Sequence, residues 1–143
     1  MMVHLIKLCV GVESIADLQR WVTFRLEQKA RQGLAREQVH TTRMTPRRTD
    51  ELLEGGSLYW VIKGAIQCRQ RLLDIRPFVD EEGVSRCQLV LEPIIEPVVP
   101  RPRKPFQGWR YLDLKDAPPD LKAGEDGDLP QELQQELASL GLL

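Results

Sequence analysis

The sequence predicts an α+β domain: a mixed or antiparallel curved sheet, drawn toward a partly closed barrel, with one long packed helix, a short helix and a C-terminal tail helix. Three observations predict it. Val3–Val10 is an almost unbroken apolar run ending at Gly11, as a strand covered on both faces requires. Ile15, Leu18, Val22 and Leu26 recur at helical spacing, the stripe by which a helix packs on a sheet. From 58 to 72 apolar and polar side chains alternate, the period of a strand with one buried face.

The elements follow in order. Ser14 with Asp17 resembles a capping box, so the long helix should start at 15, run to about 32 and stop at Gly33. Its other face, Gln19, Arg20, Glu27, Lys29 and Arg31, should be solvated. Val39–Met44 reads as a second strand. Thr45-Pro46 opens a short helix over 46–54 that Gly55-Gly56 ends, with Thr as cap and Pro at the first helical position.

Over 58–72 the even positions Leu58, Trp60, Ile62, Ile66, Cys68 and Leu72 point inward. Tyr59, Lys63, Gln67, Arg69 and Arg71 point outward, with Val61 and Ala65 as exceptions. Gly64 marks a bend or bulge in one long strand. Beyond Leu72 the phase flips, which one extra residue near 71–73 explains. A three-residue loop, 81–83 with Gly83 left-handed, then sets Ile75 opposite Leu89 and Leu73 opposite Leu91.

Prolines recur from Pro93 to Pro105 and predict an edge segment or polyproline arm, because proline lacks the N–H a ladder needs. Phe106–Tyr111 returns as a final strand or anchor. The expected organisation is one domain over 1–112, a linker over 113–127, and an acidic tail over 128–143 with an amphipathic helix presenting Leu133, Leu137 and Leu140.

Composition excludes several classes. The 143 residues, 42% hydrophobic and 29% charged, suffice for one buried core without staples. No apolar run reaches the ~20 residues of a membrane span, and no basic region precedes the first one, so neither membrane nor export is expected. Three cysteines, none in a C-x-x-C pair, suit reduced thiols in the cytoplasm. Charge is uneven: residues 1–110 hold 18 Lys/Arg against 13 Asp/Glu, residues 111–143 hold 2 against 8.

No catalytic constellation emerges. Ser57 lacks the second glycine of a nucleophile elbow. His4 and Cys9 fall on opposite faces of a strand, and His40 has no ligand-type neighbour at metal spacing. His4 reads as a core histidine, Cys68 and Cys87 as buried thiols. No phosphate loop or dinucleotide fingerprint is present, so no cofactor and no metal are expected.

What remains is cationic. Arg43, Arg47 and Arg48 cluster at a helix start, where free backbone N–H groups could hold an anion. Lys63, Arg69 and Arg71 share the outward strand face with Tyr59, and Arg101, Arg103 and Lys104 lie on the proline arm near Trp109. Convergence of these nine cations, with Tyr59 and Trp109 for stacking, would make a non-enzymatic module for nucleic acid or a phosphorylated ligand. Two alternatives stand beside it. One is an enzyme on a small phosphorylated or carboxylated substrate, with Arg47/Arg48 as clamp and His40 or Asp74 as base in a concave pocket. The other is an adaptor that docks through the tail helix.

Longer strings carry a likeness: His4-Leu-Ile-Lys-Leu-Cys-Val-Gly11, Thr42-Arg-Met-Thr-Pro-Arg-Arg48, Asp50-Glu-Leu-Leu-Glu-Gly-Gly-Ser-Leu-Tyr-Trp-Val-Ile-Lys-Gly64, Arg69-Gln-Arg71 and Arg101-Pro-Arg-Lys-Pro-Phe-Gln-Gly-Trp-Arg-Tyr111. Over residues 3–121 the chain resembles an alphaproteobacterial family catalogued as domain of unknown function 1489. The resemblance implies a bacterial cytoplasmic protein and brings no activity, cofactor or site residue with it. The acidic tail falls outside that likeness.

Overall fold

The computed structural model describes residues 2–121; the expected tail helix lies outside them. The chain runs β1 (His4–Leu8), α1 (Ile15–Arg31), β2 (Gln38–Thr42), α2 (Thr49–Leu52), β3 (Ser57–Ile62), β4 (Ala65–Val79), β5 (Ser85–Leu91), β6 (Glu96–Pro102) and β7 (Trp109–Leu112). A 3-10 turn, Leu114–Asp116, follows.

The seven strands form one mixed sheet in the order β2-β5-β4-β3-β1-β7, with β6 also on β4. β1 and β3 are parallel, and the other pairings are antiparallel. β4 carries two neighbours along one edge, β6 on its first half and β5 on its second. β2 and β7 end the order without meeting, so the sheet is open and the expected barrel closure is absent.

The long strand expected over 58–72 is two strands. Lys63 (φ 49) and Gly64 (φ 79) both take left-handed backbone and fold β4 back on β3 with Ile62 opposite Ala65. Two consecutive left-handed residues make the tight hairpin turn whose twist suits antiparallel strands. The turn shifts the inward parity by one residue. A register shift at Gln67, where Val61 faces Ile66 but Trp60 faces Cys68, shifts it back. The two shifts cancel, so the even positions looked inward throughout and the hairpin was invisible to periodicity.

The outward face also differs from expectation, because both faces of this sheet are covered. Leu58, Trp60, Cys68, Leu72 and Leu89 pack with Leu18 and Val22 of α1. On the opposite face Ile6, Tyr59, Val61, Ile66, Val98 and Leu112 form a second core, closed by Phe106 and Ala117. Within the stretch expected as linker, Ala117 packs on that core and Asp120 bridges Val98.

α1 starts as read, with the Ser14 hydroxyl accepting from the Asp17 N–H at 3.1 Å. α2 is shorter than the expected 46–54, and neither Thr45 nor any other side chain caps it. The Arg47 and Arg48 N–H groups donate to the Tyr111 hydroxyl at 2.9 and 3.1 Å, which holds the segment before α2 against β7. The 81–83 loop closes as expected, and Ile75 pairs with Leu89. Leu91 pairs with Leu72 instead of Leu73; Leu73 is the extra residue, and it is exposed. The proline-rich stretch does join the sheet as β6, on the edge of β4.

Candidate functional site

The nine cations expected to converge are divided between the two faces of the sheet. Arg48 lies over the Tyr111 ring at 5.2 Å, and Tyr111 packs against the α1-side core. Its Nε donates to Glu51 at 2.5 Å, and that hydrogen bond holds the Glu51 carboxyl down at about 2. The Arg47 and Arg48 backbone N–H groups, expected to hold an anion, are spent on Tyr111. Arg69 pairs in register with Tyr59 of the opposite core. It makes a two-point ion pair with Asp120, both contacts 2.7 Å, and a third bond to Ser57 Oγ at 2.9 Å.

The remaining residues are scattered. Lys63 lies 3.8 Å from Glu13, while Arg43, Arg47, Arg71 and Lys104 are exposed. Arg101 donates to the Asp116 carbonyl at 2.5 Å, and Arg103 lies over Phe106 at 5.3 Å. Tyr59 and Trp109 are buried, so neither offers a ring face for stacking; the Trp109 indole N–H donates to the Met44 carbonyl at 2.7 Å. Asp74, one of the two bases considered, is bound by Arg76 at the surface.

A cleft of about 860 Å³ opens instead between α1, the end of β1 and β2. Beyond the fully buried Leu18 and Val22, the second half of α1 packs on the core through the half-buried Leu26. Lys29 ties that half to the start of β2 by donating to the Glu37 carbonyl at 2.5 Å. Trp60 and His40 line the sheet side, Trp21, Arg25 and Lys29 the helix side, and Lys7 enters from β1 beside Trp60. The volume is in the range of small-molecule sites.

The charges in the cleft are unbalanced. Its two carboxylates are matched by arginines that do not line it: Asp17 is held by Arg20, and Glu37 by Arg76 at 2.9 and 3.2 Å. Lys7 and Arg25 make no ion pair among the described residues, and Lys29 makes none either, although its charge helps to lower the Glu37 carboxyl's pKa. Arg25 rests on the Trp21 ring at 5.5 Å.

Two titratable groups border the same space. The His40 ring stands perpendicular to Trp60, centroids 5.1 Å apart, and its buried Nε2 has no partner. Burial first, then the nearby Lys7 charge, holds its pKa down at about 4. Burial pushes the Cys9 thiol up to about 11. Trp60 is fixed from behind: its indole N–H donates to Gln70 at 2.9 Å, and the Gln70 amide donates to Gln38 at 2.5 Å and to the Glu92 carbonyl at 3.1 Å. Among the described residues no group of three His, Cys, Asp or Glu could hold a metal.

Of the earlier anion-binding, stacking and base candidates only His40 borders the cleft. Lys7, Trp21, Arg25, Lys29 and Trp60 were not singled out as site residues, and Lys29 had been placed on a solvated face. One signal was available: Trp21, Arg25 and Lys29 recur every four residues, on a single helix face. That this face looks across at a lysine standing alone in an apolar strand is a tertiary fact.

Among the described residues no helix is long and apolar enough to cross a membrane. No curated protein and no solved structure matches the chain. One family model does, described as a protein of unknown function (DUF1489), over residues 5–143. The match includes the acidic tail, beyond the 3–121 over which the likeness was read. The chain belongs to the DUF1489 family.

Proposed function

We propose that this protein binds a small anionic molecule, a carboxylate or phosphate attached to a planar or apolar body, in the cleft between α1 and β2. One observation carries the reading: three cations that make no ion pair among the described residues line a cavity bordered by a tryptophan and a neutral imidazole. The anion meets Lys7, Arg25 and Lys29, where partial exclusion of water strengthens charge pairing. The body lies against the half-exposed Trp21, with the buried Trp60 at the back of the cleft.

The chemistry of the cleft favours binding over catalysis. A general acid or base works best with a pKa near the operating pH. His40 at about 4 is a weak base, and Cys9 at about 11 remains a protonated thiol. The enzyme alternative finds its concave pocket beside His40, but Arg47 and Arg48 do not line it. The adaptor alternative rests on Leu133, Leu137 and Leu140, outside the described residues.

The test is a heteronuclear NMR titration of the full chain with adenosine monophosphate and with benzoate. Shifts of the Trp60 and Trp21 indole N–H resonances, reduced at least tenfold in apparent affinity by Lys7→Gln with Arg25→Gln, are expected. Saturable shifts that persist unchanged in that double variant, or none at all with either probe, would remove the reading.

A further inference from the structure

On the opposite face of the sheet two guanidinium groups share one aromatic ring. Arg103 lies 5.3 Å and Arg110 5.1 Å from the centroid of Phe106, so their guanidinium carbons are within about 10 Å of each other. That is close to the Debye length of about 8 Å at physiological salt, so their repulsion is weakened by salt but grows as salt is lowered. Neither has a carboxylate partner among the described residues. Cation–π contact holds both in place without neutralising them.

The ring and both arginines sit on anchored backbone. Phe106 packs against the second core. The Arg103 N–H donates to the Gly64 carbonyl at 2.8 Å, fixing the arm where it leaves β6. Arg110 is paired with Ile6 in the β1–β7 ladder, on the side where Ile6 enters that core. Arg101 faces the same side, opposite Ile66, and Lys104 is exposed on the arm. Of the acids nearby, Asp120 is committed to Arg69, and neither Glu96 nor Asp116 makes an ion pair with Arg103 or Arg110.

We propose that Arg103 and Arg110, clamped on Phe106 and flanked by Arg101 and Lys104, form a binding site for the phosphodiester backbone of single-stranded nucleic acid. Guanidinium is the group suited to phosphate, since its planar fork meets two oxygens at once. A file of cations along a proline-stiffened arm fits a linear polyanion better than a single ion, because successive charges meet successive phosphates. With Phe106 packed on the core and occupied by two guanidinium groups, and Tyr59 and Trp109 buried, the site reads charge and not base identity, as backbone contacts do. It is separate from the cleft and independent of what the cleft binds.

Fluorescence anisotropy with a labelled oligothymidylate of about 16 nucleotides tests it, a length that exceeds the four successive phosphates the site would meet. Four phosphate contacts predict a slope of log affinity against log salt near −3, halved by Arg103→Gln with Arg110→Gln. Arg103→Lys with Arg110→Lys keeps the charge and should retain the slope while weakening binding severalfold, which separates loss of contact from loss of fold. Lys7→Gln in the cleft should change nothing. An unchanged slope in the glutamine variant overturns the proposal. So does equal affinity for polyglutamate, which would make the site one for acidic peptide, or full competition by equimolar inorganic phosphate, which would make it one for the free ion.

Discussion

The His40 ring meets the face of Trp60 at 90°, with 5.1 Å between centroids, and its Nε2 is buried without an acceptor. A proton on that nitrogen would have no partner and would sit near Lys7. This contact therefore ties the state of the cleft to pH.

His40 in the unfolded chain takes up its proton near 6.5, and in the folded chain only near 4. Between those values the unfolded state binds more protons, so stability rises with pH across the window. The contribution is complete above 6.5 and is lost as pH falls toward 4, amounting to as much as about 3 kcal/mol. Urea unfolding at pH 7 and pH 4.5, repeated on His40→Gln, should show a drop that the variant shares only in part. An equal drop in the variant would move the effect to other groups.

Tyr111→Phe should destabilise the protein by about 1–3 kcal/mol, since it strips the acceptor from two backbone N–H groups, of Arg47 and Arg48, with little change in shape. Amide exchange at those two positions should accelerate in the variant. Protection equal to that of the parent chain would show that the phenol does not hold this segment.

Lys63→Asn should stabilise by a few tenths to about 1 kcal/mol, because asparagine tolerates left-handed backbone better than lysine and Asn-Gly is the preferred pair for this turn. The substitution gives up only the exposed 3.8 Å contact with Glu13, a kind of pair worth little. A lower denaturation midpoint would contradict the turn described.

Gly56→Ala should be far costlier. A Cβ there would be driven into the carbonyl oxygens of Val3 and Leu52, backbone atoms of β1's approach and α2 that cannot step aside. Loss of more than about 3 kcal/mol, or failure to fold, is expected, in the range of severe overpacking. Near-parental thermal stability would mean that α2 can move off β3.

Local features were legible where a single segment contains its own reason. Ser14 needs only Asp17 three residues on to cap α1. The 81–83 loop needs only Gly83 (φ 81) and the apolar residues either side of it to set Ile75 against Leu89. The hairpin at Lys63-Gly64 was hidden because a second irregularity, at Gln67, cancelled its signature. The cationic readings failed for a related reason: a sequence shows which charges exist, and it does not show which carboxylate each one meets. Arg48 finds Glu51 three residues away, but Arg69 finds Asp120 across 51 positions.

The sequence by itself determined the α+β class, the long helix with its cap and the excess of positive charge in the body of the chain. Each follows from composition or from contacts within a few residues. Only the tertiary structure decided that the sheet is open and covered on both faces, that Tyr59 and Trp109 are core residues, and that Lys7, Arg25, Lys29 and His40 border one cleft. Those outcomes depend on which distant segments pack together, and packing is set by the fit of whole surfaces, a property that no local period records.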